Sequence, residues 1–130
     1  MSTFKRFEDI EAWKTVRELT RAIYNVTKQE RFSKDFGLVN QLRRASDSIM
    51  ANIAEGFERG GKGEFQQFLS VAKGSNGELK SHLYIALDQS YINQQEFNQI
   101  YERAEKTGGQ IGSLMNYLRK SEIKGNKYKS

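Results

Sequence analysis

Proline is missing from all 130 residues of the chain, and that absence narrows the fold more than any motif does. Average usage of about 5% would supply roughly six prolines, each able to interrupt a helix. Four segments carry apolar residues at i, i+3, i+4 and i+7, the period of an amphipathic helix, and none alternates with the period of two that marks a strand. The first runs from about Phe7 to Thr27, with Ala12, Val16, Leu19, Ile23 and Val26 on its apolar stripe. The second runs from about Leu38 to Arg59, with Leu38, Leu42, Ala45, Ile49, Ile53 and Gly56. The third covers about Glu64 to Gln89 and carries Phe65, Phe68, Leu69, Ala72, Leu79, Leu83 and Ala86. The fourth covers about Gln94 to Ser121 and carries Phe97, Tyr101, Ala104, Ile111, Met115 and Leu118. The joins "RGGKG" and "SYIN" are short, and "KQERFSKDFG" is longer, as connections between neighbouring bundle helices are. The expectation is an all-α, up-down-up-down antiparallel four-helix bundle over residues 1–121, followed by a basic tail at 122–130. Gly74 and Gly77 fall level with Gly108, Gly109 and Gly112 in such a bundle, which predicts a tight helix crossing there.

One hydrophobic core suits this length, and 37% hydrophobic with 28% charged residues is the composition of a folded chain. Without cysteine there is no disulfide framework, no thiolate nucleophile and no cysteine-ligated zinc. The N-terminus carries Glu8, Asp9 and Glu11 where a signal peptide needs an apolar run, and no stretch of about 18 apolar residues exists to span a membrane. These features point to a cytoplasmic protein without a membrane partner. The net charge is +5. From Lys120 onward, four lysines against Glu122 contribute +3, so the body carries only +2.

The stretch "GFERGGKGEF" tests the catalytic readings. Gly56, Gly61 and Lys62 stand at the G-x-x-x-x-G-K spacing of a phosphate-binding loop. Such a loop follows a buried strand and needs a Ser or Thr hydroxyl after the lysine for magnesium. Here Gly63 follows Lys62 and a helical pattern precedes Gly56, so the glycines are expected to end one helix and release the next. A di-iron bundle needs Glu-x-x-His on two helices, and His82 is the only histidine, with Glu78 four residues away. No nucleophile–histidine–carboxylate set can be assembled, no metal or cofactor is implied, and no residue is assigned a catalytic role. A hydrolytic pairing of Glu55 with Glu78 would need a cleft and perturbed acidities.

Three surface patterns remain. Gln41, Ser48, Asn52, Glu55 and Arg59 form a polar seam beside the apolar stripe of the second segment, with Ser75, Asn76 and Glu78 as partners on the third. A hydrogen-bonded network of Ser48, Asn52, Glu55, Ser75 and Glu78 that fixes helix register is the expectation. Met50, Ala51, Ala54 and Phe57 make the second segment apolar on another side, which predicts a subunit interface. On the first segment Lys14, Arg17, Arg21 and Lys28 share one face beside Trp13 and Tyr24, as cations and rings do in a nucleic-acid groove. Glu11 and Glu18, three or four residues from those cations, fit an ordinary solvated face equally well.

"GLVNQLRRASDSIMANIAEGFERG" with "EFQQFLSVAKGSNGEL", and the opening "F..IEAWK", resembles a bacterial four-helix bundle family named for proteins encoded within 23S ribosomal RNA intervening sequences. The resemblance spans essentially the whole chain. It extends to the accessory variability determinant of diversity-generating retroelements, and by that similarity it implies a homopentamer, association with nucleic acid and no established enzyme activity. Arg43, Arg44, Ser48, Asn52, Glu55, Gly56, Gly74, Ser75 and Glu78 match the family pattern and read as fold and assembly residues. The near-neutral body departs from the strongly basic surface of that relative. The leading expectation is a non-enzymatic homo-oligomer binding RNA or DNA through Lys14, Arg17, Arg21, Lys28, Arg43, Arg44, Lys124 and Lys127. The alternative is a scaffold that binds protein partners and no nucleic acid.

Overall fold

Each of the four periodic segments forms one long helix in the computed structural model, which describes residues 4–123. A 3-10 turn at Phe7–Asp9 leads into α1 (Glu11–Val26). A short α2 (Glu30–Ser33) precedes α3 (Phe36–Glu58), α4 (Lys62–Asp88) and α5 (Gln94–Ile123). No strand occurs among the described residues. The four long helices close a ring of contacts around one core, α1 packing on α3 and α5, and α4 packing on the same two. Val16, Leu19, Ile23, Leu42, Ile49, Ile53, Leu69, Leu79, Leu83, Ile111 and Leu118 are fully buried in it.

The ends of the helices are fixed by side chains whose chemistry suits the position. Asp35 caps α3 by accepting a hydrogen bond from the Leu38 amide at 3.1 Å. At α5 the Glu96 amide donates to Asn93 Oδ1 at 2.8 Å while the Asn93 amide donates to Glu96 Oε1 at 2.9 Å, a reciprocal capping box. Gly60 has φ +84°, the left-handed conformation that lets α3 stop and α4 begin two residues later.

The connection before α3 is more structured than its length implies. Phe32 of α2 is fully buried and stacks on Tyr91 at 5.0 Å, closing the core at that end. Arg31 beside it donates to the carbonyls of Gln89 and Ser90 at 3.4 and 3.3 Å, where α4 ends. A cation placed on terminal carbonyls satisfies acceptors that the helix itself leaves open.

The glycine crossing is a correction. A Cβ added at Gly74, Gly77, Gly109 or Gly112 would meet nothing within 4 Å, so the backbones do not approach there. Gly74 and Gly77 lie on the outer side of α4, away from the stripe of Phe65, Leu69, Ala72, Asn76 and Leu79. Only Gly108 is crowded, with Asn76 Nδ2 at 3.0 Å, where that amide donates to the Ala104 carbonyl at 2.9 Å. The close approach lies instead at Gly56, where an added Cβ would sit 2.7 Å from Phe68 Cβ and 3.0 Å from Phe65 Cδ1. Gly56 is thus a packing glycine inside α3, not part of the turn. Lys62 and Gly63 are the first residues of α4 and Lys62 is buried, so no phosphate-binding loop precedes this helix.

Candidate nucleic-acid interface

Basic and aromatic side chains converge along the seam between α1 and α3. Arg17, Thr20, Arg21 and Tyr24 of α1, with Met50 of α3, line a shallow groove of about 320 Å³. Tyr24 is the pivot of this seam. Its hydroxyl donates to Asp47 Oδ2 on α3 at 3.1 Å, and the Arg43 guanidinium lies 4.6 Å from its ring centroid. Arg43 is held on its other side by Thr27, whose Oγ1 accepts from Arg43 Nε at 3.0 Å. Burial, reinforced by the hydrogen bond to the Asp47 carboxylate, pushes the Tyr24 hydroxyl above its usual value, so it remains a donor at neutral pH.

The other stripe cations are exposed and lightly engaged. Lys14 pairs with Glu11 at 3.3 Å and Arg21 with Glu18 at 3.2 Å, both within α1. Solvated pairs of this kind contribute only about 0–1 kcal/mol, so the cations can exchange a carboxylate for a phosphate at little cost. Arg17 lies 5.9 Å over the Trp13 ring, which meets Phe7 edge-on. Lys28 and Arg44 are exposed and make no ion pair among the described residues. Lys124 and Lys127 lie outside the described residues. Two residues that shape this seam were missed by the sequence reading. Asp47 and Thr27 carry no periodic signal, because their role depends on how α1 and α3 are rotated against each other.

The polar seam between α3 and α4 is smaller than its spacing implied. Ser48 and Ser75 hydroxyls are 2.9 Å apart, and Asn52 Nδ2 donates to the Ser48 carbonyl at 2.8 Å and its hydroxyl at 3.0 Å. Glu55 is exposed and takes Arg59 at 2.9 Å, and Arg59 also reaches Glu64 at 3.5 Å. Glu78 is exposed and bonds to none of these groups, and Arg43 and Arg44 do not pair with it. The spacing made Glu78 a partner for the polar seam, but its azimuth on α4 turns it to solvent. Glu55 and Glu78 share no cleft, and no group of three or more His, Asp or Glu among the described residues is placed to hold a metal ion.

The apolar patch on α3 also needs correcting. Met50 and Phe57 pack against the core, Met50 beneath the α1 stripe and Phe57 edge-on to Phe65 at 6.1 Å. Ala54 is half-buried, which leaves Ala51 as the exposed member. The cover on this side of α3 comes from α1 at Met50 and from Phe65 of α4 at Phe57. Large exposed apolar side chains occur elsewhere, notably Val71 at 53% and Ile85 at 43% on the outer face of α4.

The 23S rRNA-intervening sequence protein model matches residues 8–113, from the turn before α1 to the middle of α5. The chain belongs to this family. Among solved structures it is similar to a protein of unknown function from the S23 ribosomal protein family of Bacteroides thetaiotaomicron. The two are 22% identical with a TM-score of 0.75, over 80% of this chain and 97% of that one. At that identity the likeness carries the fold. No curated protein matches the sequence. Neither the family description nor the structural neighbour names an enzymatic activity.

Proposed function

We propose that this family member is a non-enzymatic, cytoplasmic homo-oligomer that binds RNA or another nucleic acid along the α1–α3 seam. The observation that carries the reading is the convergence of Arg17 and Arg21 with Tyr24 and Met50 in one groove, with Arg43 against the Tyr24 ring and Lys14, Lys28 and Arg44 exposed on the same two helices or just beyond them. Phosphates are held by such cations, and sequence-tolerant contact comes from rings and apolar surface beside them. No helix among the described residues is long and apolar enough to cross a membrane, in keeping with a soluble partner.

The arrangement of the helices is read here as up-down-up-down. In its support, rising numbers on one helix meet falling numbers on the next. Tyr24 meets Asp47 and Thr27 meets Arg43, while Gln66 reaches Met115 and Lys80 reaches Glu105. Assembly is read as using the outer face of α4, where exposed Val71 and Ile85 flank Gly74 and Gly77. Five subunits is the number that the family resemblance implies.

The test is a fluorescence-anisotropy titration against a labelled RNA hairpin and a matched DNA duplex at about 50 and 200 mM salt. Phosphate contacts predict affinity that falls steeply with salt, and each contributing cation replaced by glutamine at Arg17, Arg21, Lys28 or Arg44 lowers the log–log salt slope by roughly one. Unchanged affinity in the fourfold variant would overturn the reading, and absence of binding at low salt would leave the scaffold alternative.

A further inference from the structure

A groove of about 680 Å³ lies on the opposite side of α1 from the basic seam, between the N-terminal turn and α5. Its floor is apolar, formed by the buried side chains of Ile10, Ala12 and Leu114, and Phe4 forms one wall. Small residues on α5 open it: a Cβ at Gly109 would meet nothing within 4 Å, and Ser113 follows one turn later. Three polar or charged residues, Gln110, Lys106 and Glu11, are among those that line this apolar space. Gln110 Oε1 is buried and accepts no hydrogen bond among the described residues. Lys106 at the rim makes no ion pair or hydrogen bond among the described residues, whereas Glu11 on the facing rim is already neutralised by Lys14 at 3.3 Å.

We propose that this groove is a binding site for a small anionic amphiphile. The volume lies within the roughly 300–1,000 Å³ of ligand sites, which combine mostly apolar walls with a few placed polar groups. The apolar body covers Ile10, Ala12 and Leu114. The acid group pairs with Lys106. The groove shares no lining residue with the α1–α3 groove, and the one link between them is the exposed pair of its Glu11 with Lys14.

The probe that carries both features is 8-anilinonaphthalene-1-sulfonate, with an apolar aromatic body and a sulfonate. Titrated into the full chain, it is expected to give a saturable, single-site rise in fluorescence. N-phenyl-1-naphthylamine, the same skeleton without the sulfonate, is expected to bind several-fold more weakly, as is the sulfonate itself to Lys106→Gln. Gly109→Leu and, separately, Ser113→Leu fill the groove and are expected to abolish binding while the circular-dichroism melt stays cooperative. Saturable binding that survives both leucine variants would overturn the proposal, as would equal affinity for the neutral analogue. Binding that appears only after removal of residues 124–130 would also overturn it, by making the chain's own end the occupant.

Discussion

Gly56 and Gly74 occupy helix interiors one helix apart, yet their substitutions are expected to have opposite signs. At Gly56 a methyl group would sit 2.7 Å from Phe68 Cβ, a contact that only a shift of α3 against α4 can relieve. Overpacking of that kind typically costs about 1–3 kcal/mol. At Gly74 the same methyl group meets nothing within 4 Å, and the gain in helix propensity of alanine over glycine is roughly 0.5–1 kcal/mol. Urea denaturation of Gly56→Ala and Gly74→Ala is therefore expected to move the midpoint down for the first and up for the second. A loss at both positions would mean that the outer face of α4 is covered in solution. The sequence distinguishes these two glycines poorly, because spacing fixes which level of the bundle a residue occupies but not what stands opposite it. The same limit misplaced Glu78, which is exposed, and passed over Asp47, whose partner Tyr24 is on another helix.

The hinge between α3 and α4 depends on one backbone conformation. Gly60 has φ +84° and no atom within 4 Å of an added Cβ, so its replacement by alanine introduces strain without a clash. The left-handed penalty for an L-residue is about 1–2 kcal/mol, and Gly60→Ala is expected to lose that much stability by chemical denaturation. Gly60→Asn is expected to recover part of the loss, since asparagine tolerates this region better. Recovery by asparagine would separate backbone strain from altered packing, which neither side chain relieves. At this scale the sequence was informative. The long helices, their buried stripes and the glycine turn all follow from a 3.6-residue period and a lack of proline. The four-residue α2 did not, because one turn is too short to show a period. Phe32 is buried there by its stacking on Tyr91, some sixty positions away. The 3-10 turn at Phe7–Asp9 escaped for the same reason, its apolar Phe7 reading as an early turn of α1.

In the ring of helices α1 and α4 are not neighbours; each packs instead on α3 and α5. A subunit contact through the outer face of α4 therefore leaves the α1–α3 groove free, and an assembled ring would present one groove per subunit. Several modest sites on one scaffold raise the affinity for a ligand long enough to reach two of them, with avidity gains of about 10²–10⁴ over a single site. Replacing Val71 and Ile85 together by aspartate adds two charges to that face without touching a cation of the groove, and both positions are exposed enough to accept it. The double variant is expected to fall to the mass of one 15.0 kDa chain by light scattering. Its affinity for a long structured RNA is expected to drop by about 10²- to 10⁴-fold, the range of avidity gains, while affinity for an oligonucleotide spanning one groove stays unchanged. An unaltered mass would move the interface elsewhere on the surface. A monomer that keeps full affinity for the long RNA would show that each groove acts alone, so that assembly serves something other than nucleic-acid binding.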